Sequence, residues 1–272
     1  MDVLDQTNSE NQGKSLEQVL NEGYEFKFGD YLSAGFKLFG GDAAMYIAFT
    51  LLYFVITMAI GAIPFVSIIG SLAVSPALIV GWYIYGRYQK KGLNRSFNLF
   101  FDGFNRNWIQ LILQNLIAGI FVGIAAAVII VPFFLGSFLD LIGHFDDLQN
   151  AQGDQEATME IFAEIMSNGA IMGILLGSLV AMAVAVLYIY APMFIVFRGM
   201  QFWDAMEASR KVVSKRYIQT ILFLIVLGIM VGISFLLCCL PVLAGIPIMY
   251  LAIYSAFEDI MGTGDADQLE RV

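Results

Sequence analysis

Of the chain's 272 residues, 59% are apolar and 14% charged, and a mean hydropathy of +0.75 lies outside the range of soluble domains, which defines an all-α, polytopic membrane protein. A net charge of −9 argues against nucleic acid or an anionic surface as the main partner, because either needs a clustered positive face. A single histidine, His144, excludes any site built from two or three imidazoles of one chain.

Residues 1–25 are polar and mostly acidic, without the basic flank and short apolar core of a secretory signal, and read as a mobile cytoplasmic tail. A first amphipathic stretch follows, with Phe28, Leu32, Gly35, Phe36 and Phe39 opposite Lys27, Asp30 and Lys37. Between Asp42 and Arg87 lie 44 uncharged residues, enough for two helical crossings of about 20 residues each, with the turn at Pro64. In a second amphipathic stretch Phe97, Phe100, Phe101, Phe104 and Trp108 follow α-helical spacing, with Asn98, Asp102 and Asn105 opposite. From Arg106 to Asp140 there are 33 uncharged residues, more than one crossing needs. Pro132 is expected to end that helix and leave "FFLGSFL" at the far interface.

The connection 140–164 has seven carboxylates and no lysine or arginine. Here His144 with Asp140, Asp146 and Asp147 offers donors for a divalent ion, although a solvated acidic loop looks the same. Residues 154–166 predict a helix with Met159, Phe162, Ala163 and Met166 on one face, lying on the membrane or docking a periplasmic partner. Another 33 uncharged residues separate Glu164 from Arg198, one further crossing. The third amphipathic stretch sets Phe202, Met206, Ser209, Val213 and Tyr217 against Asp204, Glu207, Lys211 and Ser214, which predicts an elbow helix lying in the interface plane. From Arg216 to Glu258 there are 41 uncharged residues, two crossings with a turn near "CCLPVLAG". Cys238 and Cys239 read as small packing residues, and residues 261–272 as a second cytoplasmic tail.

Lysine and arginine tend to stay in cytoplasmic loops. Segments 87–106 and 198–216 carry five each, so six crossings with both termini cytoplasmic satisfy the chain. An internal repeat supports this count. "WIQLILQNLIAGIFVGIAAAVIIVP" from Trp108 and "YIQTILFLIVLGIMVGISFLLCCLP" from Tyr217 share ten of twenty-five positions at a constant offset of 109. Aligning Pro64 with Pro132 and Pro241 adds a weaker copy, in which Gly35-Phe36 falls on Gly103-Phe104. The result is three elbow-plus-hairpin units, about 26–90, 96–198 and 200–260, in one domain spanning 26–260. Pro76, Pro192 and Pro247 lie in or near the returning helices, where they shape packing or open a cavity.

No phosphate loop, nucleophile elbow or paired metal-ligand spacing is visible, so neither catalytic residues nor cofactor or metal ligands are assigned. The crossings hold no ionisable residue, unlike ion-coupled transporters. Gln114 and Asn115 are the most polar groups at membrane depth, set to form interhelical hydrogen bonds or line a polar path. Arg210, Lys211, Lys215 and Arg216 are placed to contact lipid headgroups or a partner, at about 1 kcal/mol per charge. The glycines of "GIFVGI" and "GIMVGI" are expected to let the third and fifth crossings approach.

The stretch "APMFIVFRGMQFWDAMEASRKVVSKRYIQTILF", with Ala191-Pro192, Ala205, Ala208 and Ser209, together with "FNLFFDGFNRNW", resembles related uncharacterised bacterial multi-pass membrane families. These include the membrane domain attached to some glycerophosphodiester phosphodiesterases. Over residues 26–260 the resemblance implies six helices with elbow segments in the inner membrane. Phosphodiesterase chemistry is not expected to carry over, because residues 26–260 resemble the membrane domain alone. Two functions remain: a non-enzymatic module that binds membrane lipids or joins a larger membrane complex, and a permease for an uncharged or amphipathic solute.

Overall fold

A computed structural model of the chain describes residues 14–145, 154–165, 171–237 and 239–262. Among them every regular element is helical: α1 (Leu16–Glu22), α2 (Phe28–Gly41), α3 (Ala43–Gly61), α4 (Pro64–Lys90), a 3-10 helix (Phe97–Phe104), α5 (Trp108–Gly143), α6 (Gln155–Ile165), α7 (Ile171–Val186), α8 (Ala191–Arg198), α9 (Phe202–Lys215), α10 (Tyr217–Leu236) and α11 (Cys239–Met261). Five stretches are long and apolar enough to cross a membrane: Ala43–Gly61, Trp108–Leu139, Ile171–Arg198, Tyr217–Leu236 and Pro241–Met261. A helix bonds its own backbone groups, which hydrocarbon demands of any spanning segment. Large apolar side chains such as Val55, Met58, Ile124, Val128 and Leu236 point outward, as lipid rather than water requires.

The chain forms two compact units, one combining residues up to Leu116 with those from Leu187 onward, the other running from Ile117 to Val186. The first unit is built around aromatic rings from α3, α4 and the 3-10 helix. Phe100 lies between Phe49 and Tyr85, nearly parallel to both, at 4.2 and 4.3 Å. Trp82 stacks on Tyr250 at 4.6 Å. Such closeness needs a backbone without side chains at two points. A Cβ on Gly81 would stand 2.2 Å from the Phe100 carbonyl oxygen, and one on Gly103 would stand 2.1 Å from that of Ala77. The 3-10 helix thereby locks onto α4.

Two other short helices dock in the same manner. α2 packs on α11, where a Cβ at Gly35 would approach the Ile248 carbonyl oxygen to 2.9 Å. α9 packs on α8. Each short helix therefore rests on a helix that follows a different apolar segment from its own.

Several local expectations change. Residues 97–104 form a 3-10 helix, whose three-residue turn places Phe97, Phe100 and Gly103 in one row; α-helical spacing had grouped Phe100 with Phe104. Pro132 does not end a crossing, because α5 continues to Gly143; a transmembrane helix tolerates proline where its surroundings satisfy the freed carbonyl. Residues 14–25 are no loose tail. Ser15 and Gln18 exchange side-chain-to-backbone hydrogen bonds in a capping box, and the α1 that this box starts buries Val19.

In the second unit α7 meets α5 through Gly173 and Gly177, where added Cβ atoms would stand 2.5 Å from Phe133 and 2.4 Å from Ile130. This is the four-residue small-residue spacing of close membrane helix pairs. Gly119, Gly123, Gly228 and Gly232, expected to serve that purpose, would meet nothing within 4 Å. α6 is a helix as predicted, with Met159 and Ala163 exposed; Met166 lies outside the described residues.

Candidate functional site

The helix α9 holds the four basic residues singled out above, or stands directly before them. Its apolar face, Ala205, Met206, Ala208, Ser209, Val212 and Val213, is buried against α8 and α1, not laid in lipid. The reason lies in a break between α7 and α8, where residues 187–190 form a turn. A broken helix leaves backbone groups without partners. The fully buried Ser209 hydroxyl donates to the Leu187 carbonyl at 2.7 Å and accepts from the Tyr190 amide at 3.2 Å. Ser209→Ala would strand both groups, and we expect a loss of about 2 kcal/mol in the denaturation of the purified chain; Ser209→Thr retains the hydroxyl and should recover part of it.

The outward face of α9 is internally paired. Arg210 donates two hydrogen bonds to Glu207, at 2.7 and 2.9 Å, and Lys211 Nζ lies 3.4 Å away. Hydrogen bonding from Arg210 foremost holds the Glu207 carboxyl down at about 2. With its pKa depressed below the usual carboxylate value, this clamp is present above about pH 4.5 and is lost only as pH falls through about 2. Arg216 donates from Nε to the Tyr24 carbonyl at 2.9 Å. Lys215 makes no ion pair among the described residues. The predicted patch is therefore one clamped pair, one outward lysine and one arginine turned to the N-terminal segment.

Further charges meet at the ends of α4, α8 and α11. Arg87 is 7% exposed, its guanidinium 4.8 Å from the centre of the Phe197 ring. Lys90 Nζ lies 2.7 Å from Oε2 of Glu258, whose other oxygen is buried without a hydrogen-bond partner among the described residues. Arg198 donates to the carbonyls of Met261 and Lys14, at 2.9 and 3.3 Å. Sequence reasoning used Arg87 and Glu258 only to mark the ends of apolar runs. One signal was available: each stands eleven residues beyond the proline inside its helix, Pro76 and Pro247.

Gln114 is buried and Asn115 half-buried, and as helix neighbours they point about 100° apart. Gln110 instead makes a structural bond, accepting from the Phe202 amide at 2.9 Å. A groove of about 360 Å3 between α3 and α4 is lined by Thr57, Ser67, Ser71 and Ser75, the serines one helical turn apart. Asp146, Asp147 and Cys238 lie outside the described residues. Among those described, no three His, Cys, Asp or Glu side chains gather as a metal site would need.

No known protein family, curated protein or solved structure matches the chain.

Proposed function

We propose that the chain is a non-enzymatic integral module of the bacterial inner membrane, binding lipids or serving as accessory subunit of a larger membrane complex. In this reading α4, 27 residues long and uncharged from Pro64 to Gly86, is a sixth crossing, and both termini are cytoplasmic by the placement of lysine and arginine. The observation that carries it is the arrangement of the first unit. Three short helices turn their apolar faces onto the chain, and the charged groups around them hold one another at the ends of apolar segments. Such an arrangement suits a rim at headgroup level around an apolar exterior, which supports the reading.

Three elbow-plus-hairpin units also agree with this packing, because α2, the 3-10 helix and α9 each rest on the returning helix of the preceding unit, in cyclic order. The test is lipid and partner retention after gentle extraction. Arg210→Gln, Lys211→Gln, Lys215→Gln and Arg216→Gln together should lower retention several-fold, at about 1 kcal/mol per lost charge before screening. Glu207→Gln, which releases Arg210 and Lys211, should raise retention of anionic lipid. Unchanged retention in both would count against the module. A second reading, a permease for an uncharged or amphipathic solute or lipid, is favoured by the hydroxyl-lined groove of Thr57, Ser67, Ser71 and Ser75; solute uptake into liposomes tests it.

A further inference from the structure

A pocket of about 410 Å3 opens where the segment after α1 meets the start of α10 and the end of α11. Lys14, Lys27 and Arg216 supply positive charge to its wall, and Glu22, Glu25 and Asp259 supply negative charge. Part of this set is committed internally: Lys27 Nζ lies 3.5 Å from Asp259, which also accepts from the Tyr31 hydroxyl at 2.8 Å. Lys14, Arg216, Glu22 and Glu25 have no ion-pair partner among the described residues. Two positive and two negative groups thus face the pocket with charge to spare.

The wall is anchored. The Tyr24 hydroxyl donates to the Val212 carbonyl at 3.0 Å, and the Tyr24 carbonyl accepts from Arg216 Nε at 2.9 Å. Burial pushes the Tyr24 phenol up to about 12, so this anchor stays neutral. A simple anion would confront three carboxylates here and a simple cation three basic groups. A ligand carrying both signs meets complementary charge at each end.

Position narrows the ligand further. Arg216 directly precedes the apolar span Tyr217–Leu236, and Asp259 lies in the last turn of Pro241–Met261. The pocket therefore stands where hydrocarbon gives way to headgroups. Along α10, Ile218, Leu222, Ile225 and Ile229 are exposed at the i, i+4, i+7, i+11 spacing of one helical stripe. We propose that this pocket binds the headgroup of a zwitterionic phospholipid, with the phosphate toward Arg216 and Lys14, the ammonium toward Glu22 and Glu25, and the acyl chains in the surrounding hydrocarbon. The assignment rests on the lipid-binding reading above and gives it a site and a headgroup chemistry.

The test uses the full chain in vesicles of equal phosphatidylethanolamine and phosphatidylglycerol, with bound lipid identified by native mass spectrometry after release into mild detergent. The wild-type chain should retain the ethanolamine lipid preferentially. Glu22→Gln/Glu25→Gln, both at exposed positions, should shift that preference about tenfold toward the glycerol lipid, and Arg216→Gln should reduce retention of both. An unchanged ethanolamine preference in Glu22→Gln/Glu25→Gln, together with wild-type retention in Arg216→Gln, overturns the pocket while leaving the general lipid-binding module standing. Retention of no lipid by the wild-type chain defeats both. Displacement of the bound lipid by soluble phosphoethanolamine at matched concentration would overturn the lipid assignment in favour of a free zwitterionic solute.

Discussion

Gly81→Ala and Gly103→Ala each cost the purified chain about 3 kcal/mol or more, above the usual range for one added methyl in a packed core. The expected severity follows from what the methyl meets. In both cases it is a backbone carbonyl, at 2.2 and 2.1 Å, which cannot swing aside like the end of a side chain. Relief requires the 3-10 helix to lift off α4, and that movement would pull Phe100 from between Phe49 and Tyr85. Phe100→Ala should therefore cost a comparable amount, about 3–5 kcal/mol, through loss of buried area and the cavity left behind. The measurement is the fraction of monodisperse protein surviving a heating series in one detergent. Gly119→Ala and Gly228→Ala are the matched controls. Nothing lies within 4 Å of a Cβ at either position, and alanine inside a helix is worth about 0.5–1 kcal/mol over glycine, so both should match or exceed the wild type. Equal melting of all four variants would refute the packing argument.

These glycines mark the boundary of what the sequence made legible. Apolar runs between charges gave the long helices well, including the turn before Pro64, because hydrophobic length is a one-dimensional property. The 97–104 segment shows where that logic stops. Its aromatic spacing fits an α-helix on paper, yet Gly103 must reach the Ala77 carbonyl, and the tighter 3-10 turn brings it there together with Phe100. Glycine pairs carry the same ambiguity: Gly119 with Gly123 and Gly173 with Gly177 have identical spacing, and among the described residues an added Cβ meets a neighbouring helix at the second pair and nothing within 4 Å at the first.

Site residues divide in a similar way. Arg210, Lys211, Lys215 and Arg216 were visible as a basic cluster, but their pairing was hidden, since Glu207 competes for two of them and Tyr24 takes a bond from the fourth. Ser209 looked like one polar residue on an apolar face. Its role became clear only through the break at 187–190, a feature that continuous hydropathy from Glu164 to Arg198 conceals. Residues 14–25 fell within the stretch 1–25 that read as a mobile tail because it is polar and mostly acidic. Yet the Ser15–Gln18 box and Val19 were sufficient to start and dock a helix that forms one side of the charged pocket.

Lys90→Met should be the most damaging single change among the charged residues, at about 2–3 kcal/mol, a value lowered from that of a fully buried pair by the partial exposure of the lysine. The two partners are unequal: the Glu258 side chain is 6% exposed, whereas that of Lys90 is 47% exposed. Loss of the lysine leaves a carboxylate enclosed by α4 and α11 with neither oxygen paired, and the cost is the desolvation of that carboxylate, not the attraction that was lost. Removing both members tests this directly. Lys90→Met/Glu258→Leu should recover most of the stability, because an apolar pair of similar volume replaces a buried ion pair at little cost, and the cycle should yield a coupling energy of about 2 kcal/mol. An additive cycle would mean that solvent reaches Glu258 freely and that Lys90 holds no buried charge in place. Strong coupling, with the double variant more stable than Lys90→Met alone, would identify the pair as the fastening between α4 and α11 at the charged rim. The end of α11 would then be held against α4 by Lys90, independently of the Arg210–Glu207 clamp on α9.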